Sequence, residues 1–326
     1  MQNQENGGVY HKVSCTSFPS VIMPDKENNE LIVCPISITA TANFAAVMAM
    51  AYETFKDIDS DLANKYINAG ERAWEYIERS PDKGGNGFVN PSGIHTGEYP
   101  DRFDDDDIYW AAAQLFKATG KDKYNEAFKE LFKKYGMMPG YDLAKLGYYG
   151  TVAYINSDNG DESIRTQLKN KMIKKADELI GILQNRGYDA SCDDTWGSNM
   201  KMVDNGLLFA KVYDFTGDSK YLEYAEEQIN YCFGKNPMKI SYVTGQGEYS
   251  AKDPHHRPSQ VAGKAVPGML VAGPNCILGD AIAKNLFINE PAAKCYIDSR
   301  EVYSVNEVDI YWNSALIYLM SKTVMK

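Results

Sequence analysis

Residues 115–132 read LFKATGKDKYNEAFKELF, and residues 212–229 repeat the same order as VYDFTGDSKYLEYAEEQI. Each stretch contains the end of an apolar helix, a Thr-Gly pair, a charged residue, a Tyr and an amphipathic helix. Gly120 and Gly217 suit the left-handed position that ends one helix before the next begins, because glycine has no Cβ. The repeat therefore predicts antiparallel helical hairpins, arranged as a solenoid or as a closed α/α toroid.

Helical periodicity extends outward from these two stretches over most of the chain. The nine predicted helices span residues 38–56, 60–79, 106–119, 122–135, 144–156, 162–185, 199–216, 219–234 and 305–323. Residues 1–37 predict loops with small strands, and residues 235–303, rich in Gly, Pro, Ser and His, predict long irregular loops that form a cleft. Six hairpins need twelve helices, so the predicted fold is all-α, an incomplete (α/α)6 toroid formed by one domain over residues 1–326.

Composition excludes several classes of partner. The 326 residues carry a net charge of −10 without a cluster of Lys and Arg, which argues against nucleic acid and acidic membrane surfaces. The apolar run at 44–52 falls far short of the roughly 20 residues that span a bilayer. Aromatic residues make up 12% of the chain, which suits the flat faces of sugar rings as well as ordinary packing.

The loop DPHHRPS, residues 253–259, places His255, His256 and Arg257 next to one another. Two interpretations fit: a surface or structural feature, or a polar clamp whose imidazole and guanidinium groups donate to hydroxyls. Trp196 precedes a predicted helix, where it is either a hydrophobic staple or a platform for a sugar.

The acidic run in GEYPDRFDDDDIYW, residues 97–110, precedes another predicted helix. Carboxylates there complement the positive end of the helix dipole. The alternative is a calcium site, which needs six to eight oxygen ligands, with Glu98, Asp106 and Asp107 contributing some of them.

Glu307 lies in SVNE, at the start of the last predicted helix. Locally this is a capping box, in which Ser304 and Glu307 each bond the other's backbone amide. A helix N-terminus also lowers the pKa of a carboxyl, whereas a proton donor needs a raised pKa. Burial against Tyr311 and Trp312, or a second carboxylate, would be needed to raise it.

Two longer segments resemble glycoside hydrolase family 9, the inverting β-1,4-glucanases with an (α/α)6 barrel. SYVTGQGEYSAKDPHHRPS, residues 241–259, resembles one family signature, and YIDSREVYSVNEVDIYWNSALIYL, residues 296–319, resembles the other. The likeness extends through GGVYHKV, WAAAQLFKATG, WGSN and TGDSKYLEYA, so it covers essentially the whole chain.

The resemblance implies catalytic roles for three residues. Glu307 falls at the general acid that protonates the leaving glycosidic oxygen, and Asp298 falls at the other acidic position of the signature, in a supporting role. His255 falls at a position that hydrogen-bonds glucose around the cleaved bond.

The resemblance also implies binding residues. Arg257 falls beside His255 in the same glucose-binding loop, Trp196 resembles a stacking residue of a subsite, and Trp312 takes the place of an aromatic residue beside the catalytic glucose. Family members frequently bind calcium near the helix at 106–119, which strengthens the calcium interpretation, and they require no catalytic cofactor.

The second catalytic motif of the family, Asp-Ala-Gly-Asp, has no counterpart in the sequence. Inversion needs a second carboxylate as base, roughly 6.5–9.5 Å from the acid. The chain is therefore expected to lack the amino-terminal segment that supplies this base, along with about three helices.

The predicted function is hydrolysis of internal β-1,4 bonds in cellulose or related β-glucans. The alternatives are a glucan-binding fragment with impaired catalysis and an exo-acting cellobiohydrolase. The resemblance implies an extracellular protein, with an upstream immunoglobulin-like module in its full-length form, although no signal peptide is present in the sequence.

Overall fold

The computed structural model describes residues 1–80, 87–189 and 195–324. These residues contain twelve α-helices, three 3-10 helices and one pair of antiparallel strands. The helices are α1 (Ile38–Phe55), α2 (Ser60–Arg79), α3 (Asp105–Thr119), α4 (Asp122–Tyr135), α5 (Gly147–Ile155), α6 (Glu162–Leu183), α7 (Ser198–Thr216), α8 (Ser219–Cys232), α9 (Arg257–Ala262), α10 (Ala281–Leu286), α11 (Tyr303–Asn306) and α12 (Ile310–Val324). The strands are β1 (Val13–Ser14) and β2 (Ile32–Val33), and the 3-10 helices are Pro24–Lys26, Gly187–Asp189 and Ala292–Lys294.

All nine predicted helices are present, and α2 and α4 have the predicted bounds. The last one begins at Ile310, five residues later than the predicted start at 305. The three additional helices, α9, α10 and α11, are short, and the first two lie within the segment predicted to be irregular. No helix in the described residues is long and apolar enough to cross a membrane.

In each of two helical hairpins a glycine ends the first helix, as the repeated Thr-Gly pattern predicts. Gly120 follows α3 with φ 68° and Gly217 follows α7 with φ 68°, both in the left-handed region. Each glycine N–H donates to a carbonyl one turn back, Phe116 and Tyr213 respectively. This closure lets the chain reverse directly into α4 and α8.

The chain divides into two compact units, and the first comprises Met1–Phe18 and Asn28–Lys171. Helix α3 is its centre, because every residue from Asp106 to Phe116 is buried. Packing is close where side chains are small: a Cβ on Gly150 of α5 would lie 2.9 Å from the Cα of Trp110 in α3. Aromatic stacking adds to this core, with the rings of Phe128 and Tyr154 3.9 Å apart.

The second unit comprises Pro19–Glu27 and Met172–Lys326. Helices α7, α8 and α12 pack against one another. A Cβ on Gly206 of α7 would lie 2.5 Å from Leu319 of α12, so this glycine permits close approach of the two helices. The loops between α8 and α12 carry the Glu307 region.

Candidate active site

Glu307 lies between two helices rather than inside one. It directly follows α11 and has an extended backbone, with φ −66° and ψ 158°. Its N–H donates to the Tyr303 carbonyl over 3.1 Å, and its carbonyl accepts from the Ala272 N–H over 2.8 Å. Neighbouring loops therefore fix its backbone on both sides.

The predicted capping box is wrong. Ser304 is fully buried inside α11, and its hydroxyl hydrogen-bonds the Asp280 carboxylate instead of the Glu307 amide. The cap of α12 is Asp309, whose Oδ1 accepts from the Tyr311 N–H over 3.1 Å. Glu307 is thus outside the first turn of α12, and the helix dipole there is not the main influence on its pKa.

Trp196 contacts the side chain of Glu307 directly. The indole Nε1 donates to Glu307 Oε2 over 3.1 Å, although the two residues are 111 positions apart. The ring of Trp196 also packs against Tyr303, with centroids 5.6 Å apart. The turn before α7 holds this tryptophan, since Gly197 adopts φ 73° and the helix begins at the next residue.

His255 lies alongside Glu307 in a short parallel bridge. Its N–H donates to the Asn306 carbonyl over 2.7 Å, and its Nδ1 lies 2.7 Å from the Arg300 carbonyl. A carbonyl can only accept, so Nδ1 carries a proton and Nε2 is left for another partner. His255 can therefore present Nε2 to a hydroxyl.

Arg257 opens α9, two residues beyond His255. Its Nε donates to the Pro19 carbonyl over 3.0 Å. His256, between them, bonds Ser259 through Nδ1 over 2.8 Å, and burial lowers its pKa. Each residue of the triplet therefore has its own hydrogen-bond partner. His255 and Arg257 are both close enough to Glu307 to lower its pKa.

Asp298 organises the loop before His255. Its two oxygens accept from the backbone N–H groups of Lys252 over 2.7 Å and Asp253 over 3.0 Å. It also accepts from Asn306 Nδ2 over 3.2 Å. Because Asn306 precedes Glu307, Asp298 connects the segment that carries His255 with the segment that carries Glu307.

Trp312 is buried. Only 4% of the residue is exposed. Gly197 packs against its ring, since a Cβ added to this glycine would lie 3.4 Å from the ring. Its indole N–H lacks a hydrogen-bond partner among the described residues. Its place beside the catalytic glucose, implied by the family resemblance, stays a prediction.

The environment of Glu307 raises its pKa. Burial is the largest cause, because an ionised carboxylate is poorly solvated there, and the nearby Asp309 carboxylate adds to the effect. The hydrogen bond from Trp196 and the positive charges of His255 and Arg257 act in the opposite direction. A carboxyl with a raised pKa keeps its proton to higher pH, as a general acid must.

A separate group of carboxyls lies in the first unit, at the start of α3. Oxygens of Asp101, Asp106 and Asp107 lie within 4.8 Å of one another. The predicted third member, Glu98, is not among them, because its Oε2 accepts from the Asn90 N–H over 2.8 Å. Asp101 is the third member of the group that the structure brings together, and calcium binding itself stays a prediction.

This carboxyl cluster fits a hard cation. Asp106 is 3% exposed and Asp107 0%. One oxygen of Asp106 and both oxygens of Asp107 have no donor at close hydrogen-bond geometry among the described residues, although the Asn43 side chain is near enough to Asp107 to act against the rise of its pKa. Burial is the largest of the causes that raise the pKa of Asp106 to about 6. Burial and the charges of neighbouring carboxylates raise the pKa of Asp107. Buried carboxylates without donors are costly unless a cation neutralises them, and oxygen ligands suit calcium.

Comparison with known proteins places these features in a family. The model of glycosyl hydrolase family 9 matches residues 3–320. A cellodextrinase of Butyrivibrio fibrisolvens is 32% identical, covering 98% of this chain and 61% of its own. Endoglucanase D of Acetivibrio thermocellus is 31% identical, covering 97% of this chain and 49% of its own.

Solved structures give the same result. A single mutant of a thermostable endoglucanase from Alicyclobacillus acidocaldarius superposes with a TM-score of 0.94 at 32% identity, covering 100% of this chain and 62% of that chain. The helical hairpins therefore belong to the (α/α)6 fold class that the sequence predicts. The chain belongs to glycosyl hydrolase family 9, and it spans about half to three fifths of the length of the curated relatives it matches.

Three residues of these sites were missed by the sequence reasoning. Asp101 stands in the same acidic stretch as the named ligands, so proximity to the run was an available signal. Asn306 donates to the Asp253 carbonyl over 2.6 Å and accepts from the Tyr296 hydroxyl over 2.8 Å. Asp280, the partner of Ser304, gave no signal beyond its place before α10.

Proposed function

We propose that this chain carries the proton-donating half of a β-1,4-glucan hydrolase, with Glu307 as general acid. The observation that carries the proposal is a half-buried carboxyl of raised pKa, flanked by the ordered His255 and Arg257 and bonded by Trp196. The names of the relatives, cellodextrinase and endoglucanase, agree with a glucan substrate. His255 Nε2 and the Arg257 guanidinium would hydrogen-bond the hydroxyls of the glucose at the cleaved bond.

In the proposed reaction Glu307 transfers its proton to the leaving oxygen as the bond to the anomeric carbon breaks. Water attacks the opposite face of the sugar, and inversion requires a second carboxylate to remove its proton. Asp309 is poorly suited to be that base, because its carboxylate caps α12. The sequence contains no Asp-Ala-Gly-Asp motif, so the 326-residue chain is expected to bind glucan and to hydrolyse it poorly.

The test separates the acid from the base. Azide is a nucleophile that needs no deprotonation, so with cellotetraose it can form an α-glycosyl azide while Glu307 protonates the leaving sugar. We expect azide-dependent cleavage by the purified chain, detected by mass spectrometry of the products. General acid catalysis contributes about 10²–10⁴-fold, so Glu307→Gln should lower this rate by that factor.

Glu301→Gln is the matched control, because Glu301 is an exposed carboxylate six residues away in the same segment. Equal azide-dependent rates for the parent and Glu307→Gln would show that Glu307 is not the general acid. Glucan affinity without cleavage under either condition would favour the binding-protein alternative. Extracellular location and an upstream immunoglobulin-like module, both implied by the family resemblance, stay predictions.

The cluster of Asp101, Asp106 and Asp107 is proposed to bind calcium as a structural ion. It supplies several unpaired carboxylate oxygens within one small volume, and these are hard ligands. Isothermal titration of the chelator-treated chain with Ca²⁺ should show binding at one site. Asp107→Asn should weaken it strongly while Glu98→Gln leaves it unchanged, and equal affinities for both variants would contradict the site.

A further inference from the structure

The contact between Trp196 and Glu307 has a chemical direction. An indole N–H can only donate, so Glu307 Oε2 is the accepting oxygen at 3.1 Å. In a protonated carboxyl the carbonyl oxygen is the better acceptor, and the hydroxyl oxygen carries the hydrogen. Of the two possible protonated forms of Glu307, the contact therefore favours the one in which Oε2 is the carbonyl oxygen and the proton is on Oε1.

We propose that Trp196 is a positioning residue for the acid, holding Oε2 so that Oε1 carries and delivers the proton to the leaving oxygen. This inference rests on the proposed function of Glu307. It assigns to Trp196 a task other than stacking on a sugar ring, since the one polar atom of the indole is committed to the acid. No oxidant, cofactor or further group is needed, because only the proton of Glu307 moves.

The surroundings of Trp196 hold its ring in place. Gly279 lies against the indole so closely that a Cβ would be 2.4 Å from Cζ3 of the ring. The Tyr303 hydroxyl donates to the Gly279 carbonyl over 3.2 Å, and the Tyr303 ring lies 5.6 Å from Trp196 and 5.8 Å from His255. One small cluster thus fixes both the tryptophan and the histidine that flank the acid.

The charges around Glu307 determine how loss of the Trp196 indole would change the pKa of Glu307. His255 precedes α9, Arg257 begins α9 and Asp309 precedes α12, and these are the charged groups that act on Glu307. The first two favour its ionised form, Asp309 disfavours it, and burial disfavours it most. Because the Trp196 bond also favours the ionised form, removing it should raise the pKa of Glu307 further.

The deciding experiment is a titration of Glu307 in the purified chain. Difference infrared spectroscopy of the carboxyl stretch, with Glu307→Gln subtracted, reports the protonation of this group alone. In Trp196→Phe the midpoint should move to higher pH, and the carbonyl band of the protonated form should move to higher frequency as its hydrogen bond is lost. This readout does not need turnover, so it stands even where the glucanase proposal fails.

Trp74→Phe is the control for loss of an indole, because Trp74 is buried and its indole N–H makes no hydrogen bond to the described residues. Its titration of Glu307 should equal that of the parent. If Trp196→Phe does not fold by circular dichroism, Gly279→Ala decides in its place, since the added methyl would lie 2.4 Å from Cζ3 of Trp196 and displace the ring. An unchanged midpoint and band in the deciding variant would overturn the proposal.

A second readout applies to any form of the protein that turns over glucan. Trp196→Phe should slow cleavage of cellotetraose, whose leaving group needs a proton, much more than cleavage of a dinitrophenyl cellobioside, which does not. The loss should fall on kcat. An equal rise in KM for both substrates would instead identify Trp196 as a stacking residue and contradict the positioning role.

Discussion

The carboxyl groups of the Glu307 region and those of the Asp101, Asp106 and Asp107 cluster are both shielded from water, but they differ in their partners. Glu307 and Asp298 accept hydrogen bonds from Trp196 and from backbone N–H groups. Most oxygens of Asp106 and Asp107 have no donor at close hydrogen-bond geometry among the described residues. A buried carboxyl that has donors can serve chemistry or hold a loop, whereas one that faces other carboxyls requires a cation or a proton.

The largest expected effect is a pH dependence of stability caused by the acidic cluster. The folded-state pKa of Asp106 is about 6, above the ordinary 3.8, so its contribution to stability is full below pH 3.8 and is lost as the pH rises to about 6. In chelator this amounts to roughly 3 kcal/mol, and urea unfolding from pH 4 to 7 would measure it. Asp106→Asn should flatten the profile. A profile that rises over this range in chelator would contradict the raised pKa.

The second effect is a change of sign at Asp107. Without calcium, Asp107→Asn should raise the free energy of unfolding at pH 7 by about 1 kcal/mol, because it removes one of three mutually repelling carboxyls. Calcium at a hundredfold excess over its dissociation constant stabilises the parent by about 2.7 kcal/mol and the variant hardly at all, so the variant should then be about 1.7 kcal/mol less stable than the parent. Thermal melts of the parent and the variant, with and without calcium, would measure this difference in stability. If the variant were more stable, or less stable, than the parent in both buffers, the cluster would not need a cation in the way that distinguishes it from the Glu307 region.

A smaller loss is expected from Asp298→Asn. The N–H groups of Lys252 and Asp253 bond different oxygens of Asp298, and an amide has one oxygen and one NH2 group, so one of the two N–H donors would face another donor. The variant should lose about 1–2 kcal/mol of stability and become more sensitive to protease in the loop before His255. Unaltered proteolysis there would mean that Asp298 does not organise this loop.

The smallest effect is expected from Asp253→Asn, in the same loop. The Asp253 side chain pairs with Arg300, and the two are 45% and 44% exposed. Exposed ion pairs contribute little, so denaturant unfolding should shift by less than about 1 kcal/mol. A loss as large as that of Asp298→Asn would mean that the charge of the loop, and not its backbone hydrogen bonds, keeps it in place.

The helices were predictable because their signals are local. Apolar spacing gave the bounds of α2 and α4, and a single glycine gave each left-handed end, at Gly120 and Gly217. Such features depend on residues a few positions apart, which the sequence shows directly. The long loops were also recognised, although the short helices inside them were not.

Local reasoning failed where a distant partner competed. Ser304 matches a capping box, but its hydroxyl donates to the carboxylate of Asp280, which is 24 positions away in the sequence. Glu98 belongs to the acidic stretch, yet the Asn90 N–H occupies it. For Ser304 a hydrogen bond formed by the fold replaces the one that the nearest residues suggested, and for Glu98 a hydrogen bond engages an oxygen that the sequence offered as a calcium ligand.

The sequence by itself determined the helical hairpins, the family and the identity of Glu307 as the candidate acid, because periodicity and long motifs are written along the chain. Only the tertiary structure decided what surrounds that acid: Trp196 on Oε2, His255 alongside, and burial that raises its pKa. The physical reason is that protonation and hydrogen bonding depend on distances in space, and folding brings Trp196 and Glu307 from 111 positions apart to 3.1 Å.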